Sequence, residues 1–202
     1  MKKIVLLCLT IILISYNYLF GFSAGFMGSG AARNTGGETA CSASAFVEYT
    51  GTGDTIGVGL NSDQAYLGQN DFQVGSETDL CMSKYNVADV NGTVSSFVYT
   101  GYVYVQTAGN FTAASPYCTS DNTVTGIVAP QEIVFEFSSC VLSASTDYAV
   151  VVGVDTQDGN YITLNQDTAT AISGNVGRFG STGTREVNAT GNEMWIKLYA
   201  RE

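Results

Sequence analysis

The sequence predicts an all-β domain, an antiparallel β-sandwich of two sheets. From Cys41 onward, about eight to ten short segments carry the apolar or alternating patterns of strands, separated by Gly, Thr, Ser, Asn and Asp. Apolar residues at helical spacing never extend beyond two turns. Short strands at regular spacing over about 160 residues are typical of a sandwich rather than an α/β fold.

The chain begins with the pattern of a secretory signal peptide, residues 1–23. Its start is cationic, residues 4–14 are apolar, and Gly21 and Ser23 are the small residues expected before a cleavage site. Polar residues after position 14 interrupt the apolar run and disfavour a retained anchor, and the surroundings of Cys8 do not resemble those of a lipid-attached cysteine. We expect a secreted protein, extracellular or on the cell surface, with no membrane contact after cleavage.

The mature chain divides into an arm and one domain. Residues 24–40 are small and Gly-rich with little to bury, which predicts a flexible arm. Residues 41–202 are long enough for a single sandwich domain with a substantial core.

Charge and histidine content exclude several function classes. Removing Lys2 and Lys3 changes the formal charge from −10 to −12, so a nucleic-acid partner is not expected. The chain has no histidine, which excludes Ser-His-Asp hydrolases, Cys-His proteases and His-ligated zinc enzymes.

Four cysteines of the mature chain are predicted to form disulfides in an oxidising compartment. They are Cys41, Cys81, Cys118 and Cys140, and they include no Cys-x-x-Cys pair that would favour a zinc site. Four cysteines allow three connectivities. We favour pairing of neighbours along the chain, Cys41 with Cys81 and Cys118 with Cys140.

The strand segments follow in chain order. They are residues 43–49, 55–60, 78–87, 97–107, 133–137, 147–154, 160–164 and 193–199. Residues 51–54 are predicted to turn between the first two, and Asn91-Gly92 lies in a predicted turn between the third and fourth. The apolar run from Tyr148 to Val152 predicts a central strand covered on both faces.

The order of motifs in the second half resembles the jelly-roll modules of secreted bacterial proteins and phage surface proteins. The similar segments are residues 133–152, Asp158-Gly159-Asn160-Tyr161-Ile162 and Met194-Trp195-Ile196-Lys197-Leu198-Tyr199, with Asp79-Leu80-Cys81 and residues 102–105 upstream. The resemblance covers about residues 75–200 and implies a jelly-roll-like sandwich. It also implies glycan binding or surface contact, whereas the four cysteines are not part of the family pattern.

Aromatic residues on two strands are the candidate ligand-binding residues. Strand alternation places Trp195, Lys197 and Tyr199 on one face of the last strand, and it places Tyr102 and Tyr104 on one face of an earlier strand. If the aliphatic faces point inward, Trp195, Tyr199, Tyr102 and Tyr104 point outward, where they would stack on sugar rings. The alternative is that these aromatics pack under loops or against the other sheet.

Acidic residues give two weaker candidates. Asp155, Asp158 and Asn160 lie in a Gly-containing turn that could hold a structural calcium ion, although an Asp-Gly hairpin explains the same residues. Glu132 and Glu136 would lie about 13 Å apart on one strand face. That separation exceeds the roughly 6.5–9.5 Å of an inverting glycosidase. No cofactor and no catalytic residue is predicted.

Two functions from different classes remain. The first is a non-catalytic binding or adhesion module that recognises a carbohydrate or another surface polymer. The second is a structural subunit of a surface layer, filament or virion decoration, self-assembling through the 24–40 arm by strand addition. An enzyme on a sandwich scaffold is third. Deletion of the arm discriminates the first two, because only an assembling subunit needs it.

Overall fold

The computed structural model describes residues 40–59, 64–168 and 174–202, which all belong to one compact unit. The predicted signal peptide lies outside the described residues, as does the predicted arm except for Ala40. The described residues form fourteen strands and no helix. The strands are β1 (Val47–Tyr49), β2 (Asp54–Val58), β3 (Tyr66–Phe72), β4 (Thr78–Asn91), β5 (Tyr99–Val105), β6 (Cys118–Val124), β7 (Gln131–Glu136), β8 (Val141–Leu142), β9 (Tyr148–Val154), β10 (Tyr161–Thr168), β11 (Asn175–Phe179), β12 (Arg185–Ala189), β13 (Asn192–Met194) and β14 (Ile196–Ala200). In the part of the chain that the structure describes, no helix is long and apolar enough to cross a membrane.

The strands form two antiparallel sheets, which confirms the predicted sandwich. The six-stranded sheet has the order β12-β11-β3-β9-β5-β6. The eight-stranded sheet follows the path β1-β14-β4-β10-β13, with β2 beside β10 and with β7 and β8 beside β4. β9 is buried along its whole length between β3 and β5, as its unbroken apolar run predicts.

The main core lies between the sheets and takes one face of each strand. In β7, Ile133 and Phe135 are buried while Glu132 and Glu136 are exposed. In β14, Ile196 and Leu198 are fully buried. Both alternations agree with the sequence, because the pleat of a strand sends successive side chains to opposite faces.

The strands on either side of the two predicted turns do not pair with each other, although the turns were predicted to connect neighbouring strands. β1 and β2 do not pair with each other, since β1 pairs with β14 and β2 pairs with β10. The chain does turn at Asn91-Gly92, where Gly92 has a φ of 77°, but β4 and β5 belong to different sheets. A turn signal is local, whereas strand pairing depends on burial of apolar faces contributed by distant segments.

The structure pairs Cys41 with Cys81 and Cys118 with Cys140, which is the predicted connectivity. The first bond ties the start of the described domain to β4. The second links the first residue of β6, in the six-stranded sheet, to the residue before β8, in the eight-stranded sheet. These two pairs are compatible with an oxidising compartment.

Side chains also join the two sheets at one side. Asn122 of β6 donates to the carbonyl oxygen of Val134 at 2.8 Å and accepts from the backbone N–H of Glu136 at 2.8 Å. Its amide therefore occupies backbone positions at the edge of β7 that another strand would otherwise use.

Candidate functional site

The structure separates the four predicted aromatic residues into two pairs on opposite sides of the sandwich. Tyr102 and Tyr104 lie on β5, on the outer face of the six-stranded sheet. Trp195 and Tyr199 lie at and within β14, on the outer face of the eight-stranded sheet. The four residues therefore do not form one site, and each pair has its own surroundings.

Tyr104 is buried, contrary to the expectation that it points to solvent. Its side chain is 1% exposed, because the ring of Phe111 stacks on it at 4.0 Å between centroids and 7° between planes. The Tyr104 hydroxyl donates to the carbonyl oxygen of Ala113 at 3.2 Å. Burial raises the pKa of Tyr104. The segment after β5 thus folds over the sheet, and Tyr104 belongs to a second, smaller core.

The outer aromatic cluster, as we call this second core, is made of aromatic rings above small residues. Its members are Tyr66, Tyr102, Tyr104, Phe111, Ala113, Ala149, Val151 and Phe179. Tyr66 makes edge contacts with Tyr102 at 5.8 Å and with Phe111 at 5.5 Å. A Cβ on Gly153 would approach both Tyr66 and Tyr102 within 3 Å, so this glycine permits the rings to lie close to the backbone. Tyr102 remains half-buried at the rim of the cluster.

A polar network borders this cluster. Arg185 of β12 donates to the Asp71 carboxylate at 2.9 Å, and the backbone N–H of Asp71 donates to the side-chain oxygen of Gln106 at 2.6 Å. The Gln106 amide donates in turn to the carbonyl oxygen of Gly109 at 3.0 Å. These bonds fasten the segment after β5 to β3 and β12. They therefore hold in place the segment that carries Phe111 over the outer aromatic cluster.

The outer face of the eight-stranded sheet is different, because many of its side chains are half-buried or exposed. We call it the open face and define it by Glu48 of β1, Met82, Lys84 and Asn86 of β4, Glu132, Val134 and Glu136 of β7, and Lys197 and Tyr199 of β14. Cross-strand register places Lys84 beside Lys197 on one side and beside Val134 on the other. On β7, the exposed residues Glu132 and Glu136 lie on either side of Val134 on the same face.

Trp195 is buried beside the open face, which corrects the expectation that it is presented outward. Its side chain is 6% exposed. Trp195 lies between β13, which pairs with β10, and β14, which pairs with β4. Three segments of the chain therefore meet at this residue: β13–β14, β10 and β4. Burial arises because the strands converge there, and the Lys197 ammonium also lies 5.1 Å from the Trp195 ring centroid.

Tyr199 is the predicted aromatic residue that the open face presents. It is half-buried, and the Lys84 ammonium lies 5.1 Å from its ring centroid. Lys197 forms an ion pair with Glu48 at 3.1 Å, and this hydrogen bond raises the pKa of Lys197. The result is a strip in which aromatic and cationic groups alternate from Trp195, just before β14, to Lys197 and Tyr199 within it.

The predicted calcium-binding residues make hydrogen bonds within and around their turn. The Asp155 carboxylate accepts from the backbone N–H of Val98 at 2.9 Å, and the Asp158 carboxylate accepts from the backbone N–H of Asn160 at 3.0 Å. The Asn160 side-chain oxygen accepts from the backbone N–H of Thr93 at 3.2 Å. Within the described ranges, no group of three or more cysteine and carboxylate side chains is placed to hold a metal ion. These bonds fit a turn held by its own residues, but the predicted hairpin is wrong, because β9 and β10, which the turn connects, belong to different sheets.

Sequence reasoning missed Tyr66, Phe111 and Phe179, which complete the outer aromatic cluster. Tyr66 begins a strand whose Gly68, Gln69 and Asn70 look like turn residues. Sequence reasoning also missed that Lys84 and Lys197 are cross-strand neighbours, since nothing local relates β4 to β14.

No family model matches this chain, and no curated protein matches its sequence.

Proposed function

We propose that this protein is a secreted, non-catalytic binding module that uses the open face to recognise a carbohydrate polymer. The observation that carries the proposal is the strip of Trp195, Lys197 and Tyr199 beside Lys84 on a sheet face open to solvent. Tyr199 supplies a ring for stacking on a sugar. The lysines and the flanking glutamates supply donors and acceptors for hydroxyl groups.

The shape of the surface supports a polymer rather than a small molecule. Side chains of β1, β14, β4 and β7 lie side by side in register, so the contact area extends across four strands. A face that extends across four strands matches an extended chain better than a compact ligand, which usually requires a concave pocket.

Each aromatic residue has a distinct role in this proposal. Tyr199 contacts the sugar directly. Trp195 is a positioning residue, because its buried ring lies under Lys197 and fixes the course of β14. Tyr104 stabilises the opposite face through its stack with Phe111, and the half-buried Tyr102 lies on that same opposite face.

Assembly into a surface structure is the competing function, and one observation bears on it. Strand addition needs a free sheet edge, but Asn122 already bonds to the β7 backbone at one edge of the eight-stranded sheet. This contact favours a module that remains separate at that edge over a subunit that polymerises through it.

The test is a glycan array probed with the secreted protein, both disulfides formed, and with two variants. We expect Tyr199→Ala to abolish or strongly weaken binding, and Tyr102→Ala, a partly exposed tyrosine on the opposite face, to retain it. Far-ultraviolet circular dichroism establishes that both variants are folded. Absence of binding to any glycan, with ordered multimers seen by electron microscopy that are lost when the 24–40 arm is deleted, would replace this proposal with the structural subunit.

A further inference from the structure

The open face brings together the only two lysines that follow residue 3. They are Lys84 and Lys197, which are direct cross-strand partners on β4 and β14. Each ammonium group lies 5.1 Å from the centre of an aromatic ring, Lys84 above Tyr199 and Lys197 above Trp195. The chain is strongly acidic, so placing its lysines side by side concentrates a scarce charge at one spot.

Placing the two lysines side by side destabilises the fold unless another group offsets the repulsion between their ammonium groups. Like charges directly opposite each other on neighbouring strands are destabilising. Glu48 offsets the charge of Lys197 through an ion pair of 3.1 Å. Lys84 forms no ion pair with any described residue, and its other cross-strand neighbour is the apolar Val134. The cation–π contact between the Lys84 ammonium and the half-buried Tyr199 ring is weak enough for a ligand to replace.

We propose that Lys84 and Lys197 bind a carboxylate group carried by the polysaccharide, and that Tyr199 stacks on the sugar bearing that carboxylate. This inference rests on the proposed function and names its substrate class, a glycan with uronic acid units. Lys84 provides a positive charge that forms no ion pair with any described residue, and Lys197 provides a second ammonium group on the adjoining strand. Ammonium–carboxylate hydrogen bonds are among the stronger polar contacts available to a protein surface.

The surrounding carboxylates restrict which acidic polymers fit. Glu132 and Glu136 lie on β7 on both sides of Val134, at register positions opposite Asn86 and Met82, and Glu48 lies beyond Lys197. A polymer with charge on every unit would place anions against these glutamates. A polymer with isolated carboxylates, separated by neutral sugars, would place its charge only at the lysine pair. We therefore expect preference for sparsely charged polyuronates over densely sulfated chains.

The experiment measures binding of the full secreted protein to matched pairs of glycans, each acidic polysaccharide alongside its carboxyl-reduced neutral form. The pairs include hyaluronan, which carries one carboxylate per two sugars, and heparin is tested beside them, without a neutral partner, as a densely sulfated chain. Lys84→Gln and Lys197→Gln remove one charge each, and Lys84→Arg keeps it. Thr123→Glu, at an exposed position of β6 on the opposite sheet, lowers the net charge by the same amount as each Gln variant and serves as the control.

We expect carboxyl reduction and Lys84→Gln each to raise Kd by roughly tenfold or more, as for loss of a charge-assisted hydrogen bond. Thr123→Glu should leave Kd within a factor of about two, whereas Lys84→Arg should raise Kd less than Lys84→Gln does because it keeps the positive charge. Binding should weaken with added salt. Equal binding of acidic and neutral forms, or preference for heparin, overturns the carboxylate site while the glycan-binding function stands. Loss of binding to every glycan in the panel overturns both.

Discussion

The backbone N–H of Trp195 donates a hydrogen bond of 2.9 Å to the carbonyl oxygen of Asn165, where three segments of the eight-stranded sheet converge. The side chain of Asn165 donates to the side-chain oxygen of Asn86 on β4. The junction is therefore closed by a backbone bond, an amide pair and a large buried ring. This explains why the single tryptophan of the chain is buried beside a surface that is otherwise open.

Replacing Trp195 tests this structural role. We expect Trp195→Ala to lower the free energy of unfolding by about 3–5 kcal/mol, because a large buried ring is lost and the junction cannot collapse fully. Trp195→Phe should cost less, since it fills part of the space. Chemical denaturation measures both. An unchanged midpoint for Trp195→Ala, with glycan binding lost, would instead indicate that the ring contacts ligand directly.

Glycine at position 109 is required by contact as well as by conformation. Gly109 has a φ of 76°, and a Cβ there would overlap the guanidinium group of Arg185, which is held by Asp71. Gly126 has a φ of 63° but no atom near its Cβ position, so Gly126→Ala measures the conformational cost alone. We expect Gly109→Ala to destabilise the protein by about 1 kcal/mol more than Gly126→Ala in urea unfolding. Equal losses would mean that Arg185 moves aside without cost.

Removing the Asn122 amide frees backbone groups at the β7 edge. Asn122→Ala loses two hydrogen bonds, to Val134 and Glu136, for an expected cost of about 1–2 kcal/mol. The freed edge should also promote association, detectable by sedimentation as the protein concentration rises. Thr123→Ala, exposed on the same strand, is the control and should change neither property. A monomeric, fully stable Asn122→Ala protein would contradict the role of this contact.

Buried tyrosines should make the protein sensitive to alkali. Burial raises the pKa values of Tyr85, Tyr99 and Tyr104 well above the ordinary value. In the unfolded chain these hydroxyls lose their protons near pH 10, so above that pH the unfolded state binds fewer protons than the folded state. The free energy of unfolding should therefore fall as pH rises above about 10, and these tyrosines should ionise together with unfolding. Tyrosinate absorbance and circular dichroism test this. Complete ionisation of a still-folded protein would refute it.

The sequence predicted strands best where apolar residues dominate. The faces of β7 and β14 were predicted from alternation, and the burial of β9 on both faces from its continuous apolar run, because both patterns are visible locally. The predicted strand 193–199 is two strands in the structure, β13 and β14, which are separated at Trp195. The strands β3, β6, β8, β11 and β12 were missed. In β3, Gln69 and Asn70 look like turn residues, and so does the polar run of β6. Gln69 is nonetheless buried between the sheets, where its side-chain oxygen accepts from the backbone N–H of Met194 at 3.1 Å.

The sequence by itself determined the all-β class and the outward direction of Lys197 and Tyr199, because the pleat of a strand is a local property. It left three disulfide connectivities open, and the structure decided between them by bringing Cys41 to Cys81 and Cys118 to Cys140. Tertiary structure alone decided which outward faces stay open. Phe111 covers Tyr104, converging strands bury Trp195, and register places Lys84 beside Lys197. Exposure depends on what distant segments contribute to a surface, and strand alternation contains no information about those segments.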